Sequence, residues 1–319
     1  MKRALIVGSN GQDGAYLAKF LLEKGYEVIG TSRDAMASSF LNLKKLGVEA
    51  RVRKVSMALN DFRSVLEALK KFAPDEIYNL AGQTSVGLSF EQPVETMESI
   101  TFGTLNILEA IRFIDSPIRF YNAGSSECFG DTRNQPASES TPFSPRSPYA
   151  VAKTAADGLV SNYRESYGLF ACTGILFNHE SPLRPKRFVT QKIIQAASYI
   201  SKNLDEKLSL GNISIYHDWG WAPEYVEAMW LMLQQEFPED FVIATGTSVS
   251  LEYFIEKAFS YHGLSWKNHV LIDSSFLRPS DIEYGGADPR KAESILGWKA
   301  KYDVDDVIRM MSTTTQDAG

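Results

Sequence analysis

Apolar residues in the first half of the chain fall into short continuous runs, each followed by a stretch whose apolar positions recur with helical period. Arg3 to Val7, Glu27 to Ser32, Glu49 to Val55, Glu76 to Ala81, Ile118 to Tyr121 and Ala171 to Phe177 read as buried strands. Between them, AYLAKFLLEKG, Asp61 to Phe72, Glu95 to Arg112 and a segment opening at Pro148 read as helices. Ala35 to Gly47 lacks strong caps and fits a covering loop or a short helix equally. The alternation predicts an α/β fold with a doubly wound parallel sheet, helices on both faces and ligands at its carboxyl edge. Further on, Asp218 to Gly220 and a helix from Glu224 to Gln235 are expected to rejoin the sheet domain, with Phe241 to Ala244 as an edge strand. The expected division is a dinucleotide-binding unit over 1–178, rejoined by about 218–247, and a smaller, discontinuous α/β lobe over 179–217 and 248–319.

Glycine spacing sharpens the first unit. Gly8, Gly11 and Gly14 stand between the first strand and the first helix, where small residues let the backbone approach a pyrophosphate that the helix N-terminus then stabilises. An ordinary strand-to-helix turn would show the same spacing, but the elements on either side fit a Rossmann unit. The second strand ends in Ser32-Arg33-Asp34, where the adenosine ribose of a dinucleotide belongs. Arg33 favours a 2′-phosphate and hence NADP, whereas Asp34 leaves NAD as the alternative.

The chemistry is expected between Tyr121 and Lys153. After the strand, Gly124-Ser125-Ser126-Glu127 places hydroxyls and a carboxylate at the cleft, and Pro148 sets Tyr149 and Lys153 one helical turn apart on a shared face. A phenol titrating near ~10 needs roughly 4 kcal/mol of help to serve as a base at neutral pH. One ammonium about 4 Å away, at an effective dielectric of about 20, supplies roughly that much. The same spacing also occurs on plain solvated helices. Asn178, Arg184, Lys186, Arg187 and Lys192 form a basic, proline-interrupted loop that suits an anion or is simply solvated.

Composition narrows the classes. The formal charge of −6 argues against a nucleic-acid groove. Cys128 and Cys172 are the only cysteines, so neither a disulfide framework nor a metal site is indicated, and a cytoplasmic setting is expected. No apolar run approaches the length of a membrane span, and the short apolar stretch before Gly8 is no signal peptide.

With these pieces together, the sequence resembles the extended short-chain dehydrogenase/reductase family, and within it the GDP-mannose 4,6-dehydratases. The resemblance rests on GQDGAYLAKFLLEKGYEV, SFEQP, PRSPYAVAK, NYRESYG, GILFNHESP, FVTQKI, YVEAMWLMLQQ, RPSDIE, DPRKA and LGW. It implies that Tyr149, helped by Lys153, takes the proton from the C4 hydroxyl of a GDP-sugar during C4 oxidation, with Ser125 bonded to that oxygen. It further implies that Glu127 takes the C5 proton and protonates the departing C6 hydroxyl, and that hydride then returns to C6. Related sugar epimerases usually lack a Glu at position 127, and thymidine-linked dehydratases usually carry Asp where Ser126 stands. By the same resemblance, Gly8, Gly11, Gln12, Asp13, Gly14, Arg33, Tyr149, Lys153 and His179 would bind NADP. Ser85, Asn178, Val189, Lys192, His217, Arg278 and Asp281 would bind GDP-mannose or a similar GDP-sugar. A GDP-heptose dehydratase or a 4-keto-sugar reductase is the alternative reading. Relatives self-associate, so a dimer or tetramer is expected. Some positions depart from the pattern: His217 stands where Arg is usual, Ser125 replaces Thr, Ser56 replaces an acid and Ile100 replaces a polar residue.

Overall fold

A computed structural model describes residues 1–133, 135–276 and 279–317. Its centre is a parallel seven-stranded sheet built from β1 (Arg3–Val7), β2 (Glu27–Ser32), β3 (Arg53–Ser56), β4 (Glu76–Asn79), β5 (Arg119–Ala123), β6 (Ala171–Leu176) and β10 (Phe241–Ile243). The order across the sheet is β10-β6-β5-β4-β1-β2-β3, so the chain starts in the middle and winds outward both ways. Consecutive β1 residues feed opposite cores because strand side chains alternate. Ala4 and Ile6 pack on one side with α1 (Gln12–Glu23) and α9 (Ala222–Met232). Leu5 and Val7 pack on the other with α3 (Phe62–Phe72), α6 (Gly103–Ile114) and α7 (Pro148–Tyr167). Burial on both faces explains why inner strands such as β1, β4 and β6 read as largely apolar runs, whereas the edge strand β3 is mostly exposed.

Local chemistry sets the helix ends. The Asp61 side chain accepts from the Arg63 N–H at the start of α3, and Ser85 Oγ accepts from the Leu88 N–H at the start of the short α4 (Val86–Glu91). Ser147 accepts from the Ala150 N–H at 3.1 Å and Pro148 occupies the first turn of α7, which ends at Gly168 with φ 68°. The expected long helix around Glu95 to Arg112 is α5 (Pro93–Met97), a π-helical turn (Glu98–Phe102) and α6 in succession. Ala35 to Gly47 contains both a loop and the short α2 (Leu41–Lys45).

Two expectations need correction. The third strand begins at Arg53, because Glu49–Arg51 form a 3-10 turn. Asp218 to Gly220 do not return to the large sheet. They lie in β9 (Tyr216–Trp221), which pairs with β7 (Asn178–Glu180) and β11 (Ser248–Ser250) in a separate three-stranded sheet. The Asp218 carboxylate accepts from the Thr245, Gly246 and Thr247 N–H groups at 2.7–3.1 Å and is fully buried, which ties this strand down. A third core joins β9 to α8 (Val189–Ile200), α10 (Leu251–Tyr261) and α11 (Val304–Asp317) through Ile194, Trp219, Phe254 and Met311. The remaining strands, β8 (Leu208–Leu210) and β12 (Val270–Ile272), pair with each other. Immediately after β6 leaves the large sheet, the chain enters β7, so both sheets meet above the carboxyl edge.

Candidate active site

Two cavities flank that edge. The first, of about 440 Å³, is lined by Gly8, Asn10, Gly11, Ser32, Arg33, Ser38, Ala81, Gly82 and Glu95, among others. Gly8 adopts φ +87°, and a Cβ there would stand 3.0 Å from Ala81 Cα. A side chain is therefore excluded twice, by conformation and by space. At Gly14 a Cβ would stand 2.7 Å from Ser9 Cα, which makes this glycine a packing requirement, and it does not line the cavity. Gly11 caps α1 without a side-chain bond, leaving the first N–H groups of the helix for an anion. Asn10 Oδ1 and Ser32 Oγ are buried without hydrogen-bond partners, and both residues line the cavity. These features fit a dinucleotide.

The second cavity, of about 350 Å³, collects Asp13, Ser85, Ser125, Glu127, Tyr149, Lys153, Asn178, His179, Val189, Lys192 and His217. Ser125 follows β5 directly after Gly124, and Glu127 sits in the tight turn Ser126–Phe129 that comes next, its N–H donating to Ser125 Oγ at 3.3 Å. Tyr149 projects from the first turn of α7, hydrogen-bonds Ser125 and packs on Ile100, Ala152 and Ala156. The apolar Ile100 thus belongs to the packing around Tyr149. One turn later, Lys153 donates to Ala123 O at 2.7 Å, with its ammonium 5.8 Å from the Tyr149 ring centre.

Burial dominates the electrostatics here. It pushes the Tyr149 phenol well up, opposed by the bond to Ser125, and it pushes the Lys153 ammonium down to about 8. Without a further positive charge the phenol is therefore a poor base. Asp13 and His179 behave differently. His179 Nε2 lies 3.0 Å from Asp13 Oδ2, its Nδ1 is bonded to Phe177 O at 2.7 Å, and its ring stacks on Tyr225. Burial would raise the Asp13 carboxyl, but His179 outweighs it and holds Asp13 at about 2. Burial would lower His179, but Asp13 outweighs that and raises it.

Gln12 points away from both cavities. Its amide donates to His179 O and Asp13 Oδ1 and accepts from Ser181 Oγ, so only its backbone remains for a ligand. Asp281 is not among the residues lining either cavity, and Arg278 lies outside the described residues. His217, in β9, lines the second cavity edge-on to Trp219, and a Cβ at Gly285 would stand 3.1 Å from its Nδ1.

Two further members of this wall were hard to read from the chain: Arg184 appears there only as one cation of a basic loop, and nothing marks Glu180. Arg184 lines the second cavity, lies over Phe188 at 3.9 Å and pairs at 3.3 Å with the buried carboxylate of Glu180, which also accepts from Thr190 at 2.7 Å. The arrangement sets groups able to transfer protons beside a basic wall suited to an anion.

A family model described as GDP-mannose 4,6 dehydratase matches residues 5–311. GDP-mannose 4,6 dehydratase 1 of Arabidopsis thaliana is 48% identical over 320 residues, covering 97% of this chain and 88% of the relative. The GDP-mannose 4,6 dehydratase of Homo sapiens is 40% identical over 333 residues, covering 97% and 90%. Among solved structures, the UDP-glucose 4-epimerase of Thermus thermophilus in complex with NAD has TM-score 0.87 at 25% identity, covering 99% of this chain and 100% of that one. RMD from Pseudomonas aeruginosa complexed with NADPH has TM-score 0.82 at 20% identity, covering 100% of both chains, a likeness of fold. With a family match over nearly its whole length and relatives this close, the chain belongs to the GDP-mannose 4,6-dehydratase family.

Proposed function

We propose that the protein removes one water from GDP-mannose, giving the GDP-linked 4-keto-6-deoxy sugar, with NADP as the resident cofactor. The observation that carries this is the meeting of Ser125, Glu127, Tyr149 and Lys153 in one cavity with Arg184, Arg187 and Lys192. Gly8, Gly11 and Arg33 would hold the dinucleotide, which when bound would supply a hydride acceptor at C4 and return the same hydride at C6, so that no coenzyme would be consumed.

The side chains do the rest. Tyr149 takes the C4 hydroxyl proton, and Ser125 hydrogen-bonds the C4 oxygen. The burial that raises the phenol also strengthens any positive charge brought beside it, so loading the site and activating the base are coupled. Lys153, lowered to about 8, still carries its charge at neutral pH. Once C4 is a ketone, its C5 proton is acidic. Glu127 takes that proton and gives one to the C6 hydroxyl as the C6–O bond breaks, releasing water. The last step returns a proton to C5, which balances the one Tyr149 took from the C4 hydroxyl.

The diphosphate lies against the first turn of α8, which has no side-chain cap and contributes Val189 and Thr190 to the cavity wall, with Lys192 one turn along. Asn178 and Ser85 line the same wall. Preference for NADP follows from the end of β2. Asp34 accepts from the Met36 and Ala37 N–H groups at 2.9 and 3.2 Å, which leaves Arg33, Ser32 and Ser38 to face the ribose 2′ position. Ser56, at the position where an acid is usual, accepts from the Ala35 N–H at 2.9 Å and so anchors this loop. Phe102, Phe113, Val151 and Tyr167 are exposed on α6 and α7 and the turn before them, which supports self-association through these helices; sedimentation as a monomer would exclude it.

The test is incubation with GDP-mannose and NADP without any reductant, followed by mass analysis. A product lighter by one water, with no net reduced nicotinamide, is expected. An unchanged sugar, or stoichiometric reduction of the cofactor, would overturn the proposal.

A further inference from the structure

The dinucleotide cavity contains an acid for which the proposed reaction has no use. Glu95 stands in the first turn of α5, just after Pro93. Its Oε1 lies 3.3 Å from Nη2 of Arg33. Both residues line the cavity, and so does Glu98, the next acid along the chain. Arg33 is the only basic residue among the described residues of that lining. The one cation available there to a 2′-phosphate is therefore already held by a carboxylate from the opposite wall. Beside it, Ser32 Oγ is buried without a partner, so the polar group next to Arg33 remains uncommitted.

We propose that Glu95 sets the choice between the two nicotinamide dinucleotides by competing with the 2′-phosphate for Arg33. This rests on the reading of Arg33 as the 2′-phosphate partner. The Arg33 and Glu95 side chains are 77% and 46% exposed, so their pair is weak and screened by salt. A phosphomonoester carries about −1.5 to −2 charge near neutral pH and three acceptor oxygens, and it accepts both forks of a guanidinium. It therefore draws Arg33 away from Glu95. A ribose hydroxyl carries no charge and leaves the pair intact. Glu95 thus lowers affinity for NADP and leaves affinity for NAD nearly unchanged, which narrows the gap between the two. Glu95 touches neither reacting atoms nor the sugar; it acts on specificity through Arg33.

The experiment is a calorimetric titration of the protein with NADP and separately with NAD, for wild type, Glu95→Gln, Arg33→Ala and the double variant. Glu95→Gln is expected to tighten NADP about two- to fivefold, the size of an exposed ion pair, while NAD changes by less than about twofold. In the Arg33→Ala background the same substitution is expected to change NADP by less than about twofold, because the two residues act as a coupled pair. Unchanged or weaker NADP binding in Glu95→Gln overturns the inference, as does an equal gain when Arg33 is absent. Wild-type protein that binds NAD more tightly than NADP would instead remove the reading of Arg33, so the two failures are distinguishable.

Discussion

The dinucleotide cavity takes in the small residues Gly8, Gly11, Ala81 and Gly82 and, among the described residues, only three charged side chains, Arg33, Glu95 and Glu98. The neighbouring cavity is walled by titratable side chains from distant parts of the chain, with Asp13, Glu127, Tyr149, Lys153, Glu180 and His217 all facing one space. In the first, shape depends on what cannot be present; a Cβ at Gly8 meets the main chain of Ala81. In the second, function depends on which group each strand end presents. The dinucleotide's phosphate and ribose end and the proton-transfer groups are therefore held by different walls, and substitutions should divide along that line. His179 ties the small sheet to the start of α1, because its imidazole holds Asp13.

The largest effect is expected from Tyr149→Phe and Glu127→Gln, each lowering turnover by roughly 10²–10⁴-fold while leaving nucleotide-sugar and cofactor dissociation constants within a few-fold. The two should stop at different stages. Single-turnover absorbance should show no nicotinamide reduction with Tyr149→Phe, and reduction that persists with Glu127→Gln. Loss of binding together with activity in both variants would break the separation.

A smaller effect is expected at the link. Asp13, lowered to about 2, contributes stability that is present above its unfolded value and lost as pH falls toward about 2. His179, raised above its ordinary value, contributes stability that is present below ~6.5 and lost as pH rises through its folded value. The contributions overlap between about pH 4 and 6.5. The difference in unfolding free energy between wild type and His179→Asn should therefore be largest in that window, on the order of 2 kcal/mol, and smaller on either side. A difference that is flat with pH would show that stacking on Tyr225 matters and the ion pair does not.

Much of the large sheet was legible because its determinants are local. β1 and β2 begin and end where their apolar runs do, and Ser147-Pro148 marks the start of α7. Phe241 to Ile243 form the expected edge strand. Legibility fails where long-range contacts decide. Strands as short as β7 and β11, three residues each, are too brief for periodicity to separate them from loop. Asp218 is expected from the sequence to lead back to the large sheet, but it is buried in the small one and bonded to three N–H groups further along the chain. The site shows the same division. Tyr149, Lys153, Ser125 and Glu127 meet as their spacing and strand-end placement suggested. The inward side chain of Gln12, the Glu180 partner of Arg184 and the Glu95 partner of Arg33 depend on folded contacts that no spacing rule encodes.

The central claim, that oxidation at C4 and reduction at C6 of the same sugar share one hydride while water leaves between, is tested most directly with GDP-mannose carrying deuterium at C4. Mass analysis of the product should find the deuterium retained and moved to C6. Deuterium lost to solvent, or still at C4 after water has left, would contradict it.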